Sequence, residues 1–346
     1  MMRWRTALIL ASMSVVAAKG PGAAAAQRDV ARTGGAGRMS TDRQDRPAQA
    51  AAALRPHHRE SRPAIALTFD DIPAHGPLPA GTTRVDVIRD LVRALGAANA
   101  PAFGFFNGGF GTDDPAGSAK AVAAWRSAGL PLGNHSYSHA NLDDIGAAAF
   151  SADIARNEAP LTAAVRGAVQ AAARGAIQES DWHWFRYPFL AEGKTPATRD
   201  AARASLRAKG YRVAAVTMSF DDYKWNPPYA GCNIGRDADA VRRLEDSFLA
   251  DARAAAIASR ARAKAQLGRD IPYVLLLHVG AFDARMMPRL LALYQAMGFR
   301  FVTLGEAEAD PYYAAALDLS RPGPTPSLAG PPTVPALAGP PAVTCG

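Results

Sequence analysis

Short apolar runs alternate with amphipathic stretches through the middle of this chain, and that alternation limits the folds open to it. The runs read as strands at 65–69, 102–106, 131–134, 184–187, 212–218, 273–277 and 300–303. Helical periodicity occupies 82–98, 118–127, 154–169, 196–209, 241–265 and 284–297. In the first of these helices, Thr82 or Thr83 supplies a cap, and Val85, Ile88, Val92 and Leu95 share one face. Strands joined through helices pair in parallel, with the helices packed outside the sheet. About seven such units favour an α/β barrel over an open doubly wound sheet, although periodicity is compatible with both.

Outside this region the chain changes character. Met1 to Arg5 carry positive charge, an apolar run spans 7–18, and small residues occupy 23–26, the three-part pattern of a cleavable signal peptide. The run is shorter than the ~20 residues a membrane span needs. No transmembrane segment is therefore expected after cleavage, and the mature protein is expected to be exported, periplasmic or secreted. Residues 27–62 are rich in Arg, Ala, Gly and Gln without apolar periodicity and read as a disordered linker. From Arg321, repeated Pro with Gly and Ala reads as an extended, disordered tail that does not pack. The expected organisation is a signal peptide at 1–26, a linker at 27–62, a folded domain at 63–320 and a tail at 321–346.

Charge follows the same division. Eleven Lys or Arg but only four Asp or Glu precede Pro63, so +7 of the formal +8 lies in the leader and linker. The remainder is close to neutral and offers no basic face for nucleic acid. Cys232 and Cys345 are too few for a disulfide framework or a cysteine metal site, and whether they pair is left open.

Polar residues gather where the expected strands end: Asp70 and Asp71, His135, Arg186, Asp221 and Asp222, and His278. In a barrel the loops after the strands open on one face, so these residues would share a rim. His135 and His139 stand four apart, which on a helical turn points both imidazoles to one side, suited to gripping a metal ion. Leu67-Thr-Phe-Asp-Asp71 runs an apolar strand straight into two carboxylates. A turn-capping Asp would account for one of them. A metal ligand plus a general base accounts for both, since unpaired buried carboxylates are costly. Tyr187, Trp182, Trp184 and Trp225 offer aromatic faces for a ligand, though aromatics near strands commonly belong to a core. His75, in Pro73-Ala-His-Gly-Pro77, reads as an ordinary loop residue, with an approach to the site as the alternative.

Five short motifs carry a resemblance. Thr68-Phe-Asp-Asp71, His135-Ser-Tyr-Ser-His139, Arg186-Tyr-Pro-Phe189, Ser219-Phe-Asp-Asp-Tyr223 and Leu275-Leu-Leu-His278 resemble, in order, the motifs of the polysaccharide deacetylase family (NodB homology domain, carbohydrate esterase family 4). The resemblance covers roughly 63–305 and leaves both tails out. It implies a distorted (β/α)7 barrel, in agreement with the count of strand–helix units. It also implies that Asp71, His135 and His139 hold a divalent metal, Zn2+ most commonly and Co2+ or Ni2+ in some members. Asp70 would be the general base, paired with Arg186, and His278 the general acid, oriented by Asp222. The backbone N–H of Phe189 would help to hold the oxyanion, with Tyr187 and Tyr223 beside the substrate.

The chain departs from the family pattern at three points. Ile72 stands where Gly commonly follows the two aspartates, which alters the turn and not the ligands. Ser219 and Tyr223 stand where the fourth motif usually has Asp and Trp, and an alignment on Asp222 and Trp225 is the alternative. Phe189 replaces a common Tyr, which keeps the backbone donor and removes a hydroxyl. The expected function is metal-dependent removal of acetyl groups from N- or O-acetylated polysaccharide, such as chitin-like, peptidoglycan or xylan material, by a monomer. The alternatives are an amidase or esterase acting on a small substrate, and a glycan-binding barrel without turnover. The complete set of Asp70, Asp71, His135, His139 and His278 counts against the last.

Overall fold

The computed structural model describes residues 62–171, 183–232, 237–328 and 337–345. The signal peptide and nearly all of the linker, and Trp182, lie outside the described residues. Strand β1 (Ala64–Ile72) is buried along its whole length, as expected of a strand flanked on both edges in a helix-covered parallel sheet. It pairs in parallel with β2 (Ala102–Phe106) on one edge and β6 (Tyr273–His278) on the other. Strands β3 (Leu132–Asn134), β4 (Trp184–Phe185) and β5 (Arg212–Val213) follow outward from β2. Beyond Val213 the chain crosses to the far edge. Met218 bridges to Leu275, and the Leu276 N–H donates to the Met218 carbonyl at 3.0 Å, so the sheet closes on itself. The last strand, β7 (Arg300–Val302), pairs with the first three residues of β1, ahead of the stretch that β2 occupies. All seven expected strands are present, in a distorted parallel barrel.

Helices connect the strands on the outside: α1 (Arg84–Ala97), α2 (Pro115–Ser127), α3 (Leu142–Ala171), α4 (Pro196–Ala208), α5 (Asn226–Ala230), α6 (Ala238–Leu267), α7 (Ala281–Ala296), and after β7 a short α8 (Leu304–Glu308). Thr83 is the cap of α1, in a reciprocal box with Asp86, which satisfies two backbone donors that a helix start otherwise leaves unpaired. Ile88 and Leu95 of its apolar stripe are fully buried, while Val85 and Val92 pack at the edge of the core.

Strands β4 and β5 are shorter than periodicity suggests, because side chains take over their ladder. The Arg186 guanidinium donates to the carbonyls of Ala214 at 3.0 Å and Ala215 at 3.4 Å. The Glu308 carboxylate accepts the Ala215 N–H at 2.6 Å. Buried backbone groups must be paired, but the partner need not be a strand. Burial, opposed by the Ala215 N–H and by Arg186, raises the Glu308 pKa to about 8.

The C-terminal segment corrects the expectation of a tail that does not pack. The Thr325 N–H donates to Glu192, and the N–H groups of Ala338 and Gly339 donate to Asp251 at 3.1 and 2.7 Å. Cys345 forms a disulfide with Cys232, across a sequence separation of 113 residues. Proline-rich composition signals extended backbone, and extended backbone still docks where a carboxylate such as the buried Asp251 collects its N–H groups. A cross-link over so long a loop typically contributes ~2–4 kcal/mol by restricting the unfolded chain. We expect Cys345→Ser to lower the urea unfolding free energy by about that amount. Equal midpoints for the variant and the oxidised parent would refute it. Among the described residues, no helix is long and apolar enough to cross a membrane.

Candidate active site

The site is assembled at the strand ends. Parallel register sets Asp70 of β1 directly beside His278 of β6. Thr68 and Asp70 share the face of β1 that meets Arg186, whose guanidinium donates to Thr68 Oγ1 at 3.0 Å and to the two Asp70 oxygens at 3.2 and 3.4 Å. Arg186 is fully buried, and a buried arginine needs several acceptors to offset lost hydration. Here two backbone carbonyls, a hydroxyl and a carboxylate supply them.

Asp71, the next residue, turns to the other group. Its Oδ1 lies 3.6 Å from His135 Nε2 and 3.4 Å from His139 Nε2. Its Oδ2 accepts from His75 Nδ1 at 2.5 Å. Burial opposes charge on Asp71, but the His75 hydrogen bond and the nearby imidazoles hold its pKa well below the usual carboxylate range. Burial, with His135 close by, lowers the His139 pKa to about 4, so its ring is neutral at pH 7. His135 Nδ1 donates to the Arg186 carbonyl at 2.8 Å. A carbonyl only accepts, so Nδ1 carries a hydrogen, and Nε2 faces the carboxylates of Asp70 and Asp71 at 3.5 and 3.6 Å.

His135 and His139 do not sit on a helical turn, contrary to the spacing argument. They belong to a loop in which Ser136 and His139 both have left-handed backbone, φ +61° and +56°. Three buried asparagines hold that loop. Asn134 Oδ1 accepts from the Ser136 N–H and from Asn157 Nδ2, and Asn107 Nδ2 donates to the carbonyls of His135 and Ser136. Asn157 Nδ2 also donates to the Phe106 carbonyl at the end of β2. Sequence reasoning passed over these asparagines, because a lone Asn is an everyday turn residue. Asp71, Ser136, His139, Phe189, Leu190 and Asp221 all have φ between +54° and +66°. Such conformations cost free energy for side chains with a Cβ and gather at functional sites.

His278 is held by Asp222, which accepts its backbone N–H at 2.6 Å and its Nδ1–H at 2.9 Å. Asp283 of α7 is fully buried beside Asp222, and burial together with that negative neighbour pushes its pKa well above the usual carboxylate range. The fourth motif therefore rests on Asp222. Trp225 is core, with its ring packed on Phe248 and its Nε1 donating to Ser247. Tyr187 is also corrected. Its ring is buried against Phe150 and Phe185 in a second apolar cluster, which leaves it no open face for sugar stacking. Trp184 is buried likewise. Phe189, 65% exposed, lies with its ring 4.5 Å from that of His139. Tyr223, 37% exposed, stands 5.1 Å from the His278 ring. His75 is no ordinary loop residue. Besides Asp71 it meets the His278 ring at 5.0 Å.

Residues 57–214 match the family model described as polysaccharide deacetylase. Over that stretch the chain is similar to the polysaccharide deacetylase family. The matched region carries Asp70, Asp71, His135, His139 and Arg186, and ends ahead of Asp222 and His278, which the barrel brings to the same rim. No curated protein sequence matches the chain. Among solved structures it is similar to a family 4 carbohydrate esterase from Streptomyces lividans, at 20% identity over 71% of this chain and 95% of that one, with a TM-score of 0.42. It is similar to the chitin deacetylase of the fungal pathogen Colletotrichum lindemuthianum, at 20% identity over 72% and 88%, TM-score 0.46. It is also similar to a pseudoenzyme of the same esterase family from Bacillus anthracis, at 13% identity over 72% and 66%, TM-score 0.47.

The donor set of the site suits a divalent cation. One carboxylate and two imidazoles place ligand atoms within 4.8 Å of one another. Asp71 Oδ1 is buried without a hydrogen-bond partner, an expensive state for an ionised oxygen that a cation would relieve. Two nitrogens and one oxygen are one of the ligand sets that catalytic zinc sites with an open position use.

Proposed function

We propose that the chain is a metal-dependent hydrolase that removes acetyl groups from N- or O-acetylated polysaccharide. The observation that carries this reading is the placement of the Asp71–His135–His139 cluster between two buried pairs, Asp70 with Arg186 and His278 with Asp222. A divalent cation held by the cluster, zinc by its donor set, supplies Lewis acidity toward water and the acetyl carbonyl. Asp70 takes the proton of the attacking water, and Arg186 fixes its carboxylate. His278 gives a proton to the departing amine or alcohol, and Asp222 fixes its ring. The backbone N–H of Phe189 receives the developing oxyanion. Phe189 and Tyr223, exposed on either side, offer apolar faces on which a sugar ring rests. The Cys232–Cys345 disulfide supports an exported location, since such cross-links persist in oxidising compartments.

Acetate release from a panel of N- and O-acetylated glycans, with and without chelator, tests the reading. Release that chelator stops and zinc restores is expected. Release that chelator leaves untouched would sink it.

The charge on His278 gives a pH signature. Burial opposes that charge, yet carboxylates, Asp222 foremost and then Asp71 and Asp70, raise the pKa to about 9. A bound cation acts the other way. Amide turnover should therefore fall on the alkaline side, at or below about 9, as His278 loses the proton it donates. Asp222→Asn removes the largest raising charge and should move that limb toward acid. A limb that stays in place in the variant's pH–rate profile would assign it to another group.

A further inference from the structure

We propose that His75 is a positioning residue that fixes Asp71 as a one-oxygen metal ligand. The inference rests on the metal reading given above and adds a residue to it. Asp71 has two oxygens and a left-handed backbone, φ +66°, at the end of β1. A carboxylate so placed has two competing arrangements, with one oxygen or both directed at the cation. His75 Nδ1 lies 2.5 Å from Oδ2, while Oδ1 faces His135 and His139. The ionised carboxylate only accepts, so His75 Nδ1 carries the hydrogen. Oδ2 is thereby occupied and Oδ1 is left to the cation. Hydrogen bonds to a metal-bound carboxylate commonly tune affinity in this way.

The loop that presents His75 is built for the purpose. The His75 N–H donates to the Val279 carbonyl at 2.7 Å, which ties the loop to the end of β6. Buried Asn226 donates through Nδ2 to the carbonyls of His75 at 3.3 Å and Pro77 at 2.9 Å. Gly76, at φ +68°, allows that approach, since a Cβ there would lie 2.9 Å from Asn226 Nδ2. The ring itself is wedged between Asp71 and the rings of His278 and Tyr223, at 5.0 and 5.9 Å. Its place is between the metal cluster and the acid.

Zinc affinity, measured by competition with a chromophoric chelator on the full chain, tests the inference without reference to turnover. His75→Phe keeps a ring against His278 and Tyr223 and removes the donor. His75→Asn keeps an N–H donor near the position of Nδ1. Loss of such a partner typically weakens metal binding ~10–100-fold, so that loss is expected for His75→Phe and a much smaller one for His75→Asn. With cobalt in place of zinc, the ligand-field bands should weaken in His75→Phe, as they do when a second carboxylate oxygen joins the coordination sphere. Native affinity and an unchanged cobalt spectrum in His75→Phe would overturn the inference alone. Equal losses in His75→Phe and His75→Asn would also overturn it, since the donor would then not matter. A native chain that binds no zinc overturns the metal reading, and this inference with it.

Discussion

Asp71→Ala is expected to abolish zinc binding and acetate release together. The substitution removes the only carboxylate within ligand reach of both His135 Nε2 and His139 Nε2 among the described residues. Two neutral imidazoles alone bind a divalent cation far more weakly than an N,N,O set of fixed geometry. Without the cation, water at neutral pH is a poor nucleophile, because the pKa of bound water is no longer drawn from 15.7 toward ~7. The loss should therefore exceed the ~10²–10⁴-fold typical of a single acid–base group. His139→Ala should behave similarly, as its neutral ring supplies the second nitrogen. Metal content and acetate release, measured on the same purified protein, check both. An Asp71→Ala protein that keeps stoichiometric zinc would break the ligand assignment.

The second large effect falls on the acid and base, with the metal kept. Asp70→Asn and His278→Ala should each lower amide turnover by ~10²–10⁴-fold, and zinc content should stay at the native level. Asp70→Asn is a fair test because Arg186 does not depend on Asp70 alone. Arg186 retains Thr68 Oγ1 and the carbonyls of Ala214 and Ala215 as acceptors, and the Asn carbonyl replaces one of the two lost contacts. Esters have better leaving groups than amides, so His278→Ala should be less impaired on O-acetyl than on N-acetyl substrates. If Asp70→Asn loses zinc while Asp71→Asn retains it, the two aspartate roles are exchanged. If His278→Ala keeps full amide turnover with zinc bound, another group is the acid. His75 is then the nearest imidazole, at 5.0 Å between ring centroids.

Much of this was legible in the sequence, for definite reasons. The alternation of apolar runs and amphipathic stretches reports a backbone periodicity, and periodicity follows from side-chain direction alone. It therefore located seven strands and the parallel sheet without any tertiary information. Asp70, Asp71, His135, His139, Arg186, Asp222 and His278 stood out because ionisable groups at the ends of apolar strands are costly unless they are used. The helical turn for His135 and His139 and the idle loop around His75 went astray because they were inferred from local context, and each was decided by distant residues.

What the sequence determined by itself was the inventory of elements and of chemical groups. The tertiary structure decided which groups meet. Register along β1 and β6 put Asp70 beside His278, 208 positions later in the chain. Left-handed backbone at Ser136 and His139, held by asparagines from three separate segments, brought two imidazoles to one carboxylate oxygen without a helical turn. The Cys232–Cys345 bond and the Asp251 carboxylate fastened a tail whose composition spoke only of extended chain. Composition and spacing record local preference. Contacts between residues far apart depend on how the whole barrel closes, and no window of sequence contains that closure.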